Sequence, residues 1–250
     1  MAGAQYGKGL QGRNAVRPDP DNEGRQIMSR ICILGAGAWG TALAAAFVRQ
    51  GHEVRIWGRS ASTCAEITDL HTNRAYLGEA RLPETLRASP DMADALEGAE
   101  IVLFVAPAQS TGEVAAQAAA HLPAGALLIA CAKGIDNRTG RMQSEVIAAE
   151  LPDHAIGVLS GPSFAADVVR GLPTAVTIAM PGQGAAQALA ERLSGDAIRL
   201  YATDDIAGVQ IGGRSLAEGE LKEPGPYIGT PAIPLKEEMR RRARERKAKR

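Results

Sequence analysis

Four stretches of the chain carry groups that could bind or move charge. Gly35-Ala36-Gly37-Ala38-Trp39-Gly40 spaces three glycines as G-x-G-x-x-G. In that pattern the first glycine allows a tight turn, the second lets backbone approach a pyrophosphate, and the third lets the following helix sit close on its strand. Trp57-Gly58-Arg59-Ser60 holds a guanidinium where an NAD-preferring site would usually set an acid for the ribose 2′-OH. Arg59 offers a fork of donors for a 2′-phosphate, or a flat face for adenine; an exposed arginine at a helix start fits the spacing equally. Lys133 in Ala132-Lys133-Gly134 could fix a positive charge beside a substrate oxygen, or be a solvent-facing loop lysine. In Ser160-Gly161-Pro162-Ser163 the Ser163 hydroxyl and neighbouring N–H groups could bind an anion or hydroxyl, or Ser163 could cap a short helix opening at Phe164.

These groups need elements to hold them. Ile31–Leu34 is an apolar strand that breaks into the glycine turn, and Thr41–Gln50 has the composition of a tightly packed helix that Gly51 ends. Glu53–Trp57 reads as a strand and Ser60–His71 as helical. Ser89-Pro90-Asp91 predicts a helix start with Ser89 as cap and Pro90 first. Ile101–Ala106 is a fully apolar strand, and Ser110-x-x-Glu113 predicts a capping box for a helix running to His121. Leu127–Ala130, Ile156–Leu159, Thr174–Ile178 and Ile198–Tyr201 read as strands, with helices at Met142–Glu150 and Ala185–Leu193. This alternation predicts an α/β fold: a Rossmann-type, doubly wound, mostly parallel sheet with helices on both faces. Ligands of such sheets bind at the carboxyl ends of the strands, where all four stretches fall.

The 28 basic and 28 acidic residues balance, so the global charge favours neither nucleic acid nor a membrane surface. Nine of the basic and three of the acidic residues lie in 236–250, leaving 19 against 25 elsewhere. That basic tail lacks the interleaved aromatics of a nucleic-acid site. No apolar stretch approaches the ~20 residues that span a bilayer. Cys32, Cys64 and Cys131 are scattered, with neither a disulfide framework nor metal spacing, which fits a reducing cytoplasm. His52, His71, His121 and His154 are isolated from one another and read as surface or boundary residues rather than metal ligands.

Taken together, these stretches resemble the family of NAD(P)-dependent glycerol-3-phosphate dehydrogenases. The resemblance adds Gly161-Pro162-Ser163-Phe164-Ala165, Gly171-Leu172-Pro173-Thr174-Ala175 and Gly208-Val209-Gln210-Ile211-Gly212-Gly213, in order from about Arg30 to Gly213. It implies that Gly35, Gly37 and Gly40 build a cradle for NADP or NAD, with Ala38, Trp39, Arg59 and Ala165 in contact with it. It implies that Lys133 meets both cofactor and substrate, and that Gly161 and Ser163 line the site of a small phosphorylated substrate. The implied reaction moves hydride between NAD(P)H and C2 of dihydroxyacetone phosphate, giving sn-glycerol 3-phosphate for glycerophospholipid synthesis in the cytoplasm. Trp39 and the Gly161–Ala165 motif speak against another hydroxy-acid or sugar dehydrogenase.

One departure bears on catalysis. In the family, Gly-Gly is followed by a stretch ending in a lysine that serves as general base; here Leu216 stands at that position, and its side chain cannot exchange a proton. The resemblance implies a helical domain from that point, and 214–250 does not resemble it. The expected organisation is a disordered leader over 1–28, with Met28 a candidate start, a dinucleotide-binding domain over 29–213, and a Pro-rich then basic tail over 214–250. An out-of-frame reading of GC-rich coding sequence would give a tail of this composition. The expectations for the chain as it stands are cofactor binding with impaired turnover, or a non-catalytic nucleotide-binding unit. Apolar surface left uncovered would favour self-association.

Overall fold

A computed structural model describes residues 28–161, 163–182 and 184–210, together with the strand pairs 227–228 and 233–234. Eight strands form one sheet: β1 (Arg30–Leu34), β2 (Glu53–Trp57), β3 (Arg87–Ser89), β4 (Ile101–Phe104), β5 (Leu127–Ala130), β6 (Ile156–Ser160), β7 (Thr174–Ala179) and β8 (Ile198–Thr203). Their order is β3-β2-β1-β4-β5-β6-β7-β8. β3 to β6 run parallel; β7 turns antiparallel to β6, and β8 follows β7 in parallel. β1 lies at the centre of the reversal, pairing Ile31 with both Val54 and Ile101.

Side chains alternate across this sheet, and each face is covered. Ile31 and Ile33 join a core with Phe47, Leu189 and Leu193, whereas Cys32 and Leu34 join Phe104, Val114 and Ile147 on the other side. That two-sided burial is why the strands read as unbroken apolar runs. α1 (Ala38–Arg49) buries Ala42 to Ala46 completely. Its small side chains let the helix axis approach β1, and Gly51 (φ 84) ends it. α2 (Ala61–Ala65) follows β2 and widens into a π-type turn over Glu66–Leu70 that His71 stops in left-handed geometry. The remaining helices are α3 (Arg74–Leu77), α4 (Met92–Leu96), α5 (Thr111–Ala118), α6 (Gln143–Glu150), α7 (Ala165–Val169), α8 (Ala185–Leu193) and α9 (Ile206–Gln210).

Several local expectations are corrected. Ser89 ends β3 instead of capping a helix, and Asp91 takes the cap of α4, accepting from the N–H of Ala93 at 2.8 Å. The register of β3 against β2 holds Ser89 in the ladder, so the carboxylate two residues on is the acceptor that reaches the helix. Ser110 ends a 3₁₀ turn with helical backbone angles, so its side chain caps nothing. Gln117 Nε2 bonds the Glu113 carboxylate instead, and α5 ends at Ala118 rather than His121. α1 begins at Ala38, inside the glycine motif. The strand expected over Ile101–Ala106 ends at Phe104, which leaves Val105 and Ala106 to line the cleft above the sheet. His52 is a core residue, 4% exposed, whose Nδ1 accepts from the Ser29 N–H at 3.2 Å. The expected leader (apart from Met28) and Leu216 lie outside the described residues, as does the tail apart from the antiparallel pair Tyr227–Ile228 and Ile233–Pro234.

Candidate functional site

A cleft of about 610 Å³ opens over the carboxyl ends of β1, β2, β4, β5 and β6. Its floor is the glycine turn. Gly35, at φ 137, has a conformation that L side chains rarely adopt, and a Cβ there would press on Val105 at 2.9 Å. Its N–H donates to the Trp57 carbonyl at 2.9 Å, tying the turn to β2. Gly37 faces open space: a Cβ built there meets nothing within 4 Å. It also stands at the N-cap of α1 without a side-chain cap, and the first turn of α1 holds no acidic residue. Backbone donors at this helix start are therefore left for an anion. Gly40 is buried behind the turn and does not line the cleft; a Cβ on it would collide with the Gly35 carbonyl oxygen. Its part in the cradle is to allow close packing.

Two cations and no carboxylate stand among the cleft-lining residues described. Arg59 is exposed at the end of β2. Beside it the Ser60 hydroxyl caps α2, accepting from the Thr63 N–H at 3.2 Å, with the Ser62 and Thr63 hydroxyls at 2.9 and 3.0 Å. Lys133 follows β5 and donates from Nζ to the Gly161 carbonyl at 3.1 Å, spanning the ends of β5 and β6. Ser163 is not a helix cap; Phe164 takes that position. The Ser163 hydroxyl donates to the Ala175 carbonyl on β7 at 3.3 Å, so toward the cleft its oxygen remains an acceptor. Burial pushes the thiol of Cys131, on the cleft wall, far above its ordinary range, which keeps it neutral. No group of three or more His, Cys, Asp or Glu among the described residues could hold a metal ion.

Of the residues singled out in the sequence, the cleft thus gathers Gly35, Gly37, Ala38, Trp39, Arg59, Lys133, Ser163 and Ala165. Gly161 enters through its carbonyl. Residues 30–186 match the family model for the N-terminus of NAD-dependent glycerol-3-phosphate dehydrogenase. The chain belongs to this family. The glycerol-3-phosphate dehydrogenase [NAD(P)+] of Brucella ovis is 48% identical over 187 residues, 75% of this chain and 57% of that protein. The crystal structure of glycerol-3-phosphate dehydrogenase from Coxiella burnetii superposes with a TM-score of 0.68 at 37% identity, covering 74% of this chain and 56% of that one. The Saccharomyces cerevisiae enzyme shares the fold, with a TM-score of 0.65 at 24% identity, 74% of this chain and 59% of that one. The chain spans a little over half the length of the curated relatives it matches.

Sequence reading passed over Tyr76 at the cleft and Asn73 behind it. Tyr76, from α3, lies on the rim with 57% of its surface exposed. Asn73 is buried beside the glycine turn. Both belong to a short segment with no periodicity, so only the tertiary fold reveals them. No helix among the described residues is long and apolar enough to cross a membrane.

Proposed function

We propose that this chain is the dinucleotide-binding part of a glycerol-3-phosphate dehydrogenase, and that it binds NADPH or NADH in the cleft over β1. The observation that carries this reading is the open face of Gly37 at an uncapped, acid-free helix start, within a cleft lined, among the described residues, by two cations and no carboxylate. The donors of the glycine turn would hold the pyrophosphate, and Arg59 with its flanking hydroxyls would meet the adenosine ribose or its 2′-phosphate. Trp39 and Ala165 would flank the cofactor, and Gly161 would line the substrate side. A bound nicotinamide supplies or accepts hydride at C2 of dihydroxyacetone phosphate or sn-glycerol 3-phosphate. Lys133 would hold a substrate oxygen with its positive charge, and Ser163 would accept from a substrate hydroxyl. On the resemblance, the family's proton-exchanging lysine would stand where this chain has Leu216, and a positioned base typically contributes ~10²–10⁴-fold. Binding should therefore exceed what turnover would suggest. The working compartment on this reading is the cytoplasm, where the three free cysteines stay reduced.

A paired measurement on the purified chain tests this. NADPH should bind saturably, and NADPH oxidation with dihydroxyacetone phosphate should run several orders of magnitude below family rates. Absence of binding would overturn the cofactor assignment; full turnover would overturn the role given to Leu216.

A further inference from the structure

The loop after the π-type turn runs behind the glycine turn and leads into α3, whose Tyr76 lines the cleft, and it is built more firmly than a surface loop requires. Asn73 within it is fully buried. Its Nδ2 donates to the Ala36 carbonyl at 3.0 Å and to Thr41 Oγ1 at 2.8 Å, so one amide fastens the glycine turn to the first turn of α1. Its backbone carbonyl accepts from the N–H groups of Tyr76 and Leu77, at 3.1 and 2.8 Å, and so starts α3. The loop is held from behind by the Glu66 carboxylate, which accepts from Thr72 Oγ1 at 2.9 Å and the Arg74 N–H at 2.8 Å. Those two bonds also hold the Glu66 carboxyl below its ordinary range, the Arg74 bond contributing most.

The Oδ1 of Asn73 is buried with no partner. An unpaired buried acceptor destabilises a fold, so the donors on the other side of this amide have to account for the residue. Because a trans peptide is planar, the Ala36 carbonyl and the Gly37 N–H point in opposite directions. Fixing the carbonyl toward Asn73 therefore fixes the N–H away from it.

We propose that Asn73 is a positioning residue for the dinucleotide: it holds the Ala36 carbonyl back, so that the Gly37 N–H faces the pyrophosphate. This rests on the reading of the cleft as a dinucleotide site and adds a residue that touches neither cofactor nor substrate. The effect is specific to ligands with a pyrophosphate, whereas a purely structural role would weaken every ligand of the cleft alike.

The test compares NADPH with 2′-AMP, which has the adenosine and 2′-phosphate but no pyrophosphate, by titration calorimetry at a temperature where each variant is folded. Asn73→Ala should raise the NADPH dissociation constant at least tenfold and that of 2′-AMP less than threefold. Thr68→Val removes a comparable side-chain tie, from Thr68 Oγ1 to the Ala88 carbonyl at 3.1 Å. It should lower Tm and leave both constants unchanged. Asn73→Ser keeps a polar group too short to reach both acceptors, and should show the same split if Asn73→Ala does not fold. Equal loss for both ligands, or no loss for NADPH, would overturn the role of Asn73 while leaving the cleft assignment standing. Failure of the unaltered chain to bind NADPH would overturn the cleft assignment itself.

Discussion

Arg59 and Lys133 are the cations lining the cleft among the described residues, yet their chemistry differs. Arg59 presents a planar fork beside the Ser60, Ser62 and Thr63 hydroxyls, a donor-rich setting for a 2′-phosphate. Replacing Arg59 by Asp should weaken NADPH at least tenfold while altering NADH little, measured by quenching of Trp39 and Trp57, which both line the cleft. Equal loss for both cofactors would instead assign Arg59 to adenine. Lys133 is exposed, with Nζ on the Gly161 carbonyl at 3.1 Å, so truncating it removes little buried surface. Lys133→Ala should therefore weaken NADPH or a substrate analogue about tenfold and move Tm by no more than a degree or two. A large fall in Tm with unchanged binding would make it structural. Both residues were legible in the sequence because each follows a recognisable strand. Asn73 was not, because its partners lie 37 and 32 residues away.

At the level of elements, the glycine turn shows why one motif serves two purposes. Gly37 faces empty cleft, so Gly37→Ala should leave folding stability within about 0.5 kcal/mol yet raise the NADPH dissociation constant about tenfold by filling the cradle. Gly40 faces the Gly35 backbone, which cannot move aside as a flexible side chain would. Gly40→Ala should cost about 3 kcal/mol or more by overpacking, seen as a lower midpoint in urea unfolding. Reversed outcomes would mean that the cradle lies elsewhere. The long apolar strands and α1 were legible because burial on both sheet faces imposes an unbroken apolar run. The short β3 and α3 carry too few residues for a period to register. Nor does composition encode that β7 runs antiparallel to β6: strand direction follows from the path of the connection, here a single short helix, α7.

At the scale of the whole sheet, the candidate cleft and a polar cluster lie at opposite ends of the strands. Beyond the amino ends of the strands, Arg192 of α8 reaches Ser29 Oγ at 2.6 Å and the Glu100 carboxylate, joining positions 163 and 92 residues apart. His52 packs in the same cluster against Phe47, with ring centroids 6.2 Å apart. Burial lowers the pKa of His52, and the Arg192 guanidinium lowers it further, against a smaller opposing pull from the Arg192 backbone. The unfolded chain, with an ordinary imidazole near 6.5, then binds a proton more readily than the folded one. Stability is therefore greatest above that value and falls as pH drops below it, toward the folded pKa. Each unit of depression corresponds to about 1.4 kcal/mol, and each kcal/mol to about 2–4 °C of Tm for a domain of this size. Glu100 acts in a separate window: its pKa is lowered chiefly by the hydrogen bond from Arg192, so its contribution holds above the ordinary carboxylate value and is lost only in stronger acid. Thermal unfolding between pH 7.5 and 5.5 should thus show a falling Tm that His52→Gln flattens, while Glu100→Gln lowers Tm across that range without changing the slope. A slope unaltered by His52→Gln would show that the proton taken up on unfolding belongs to another group.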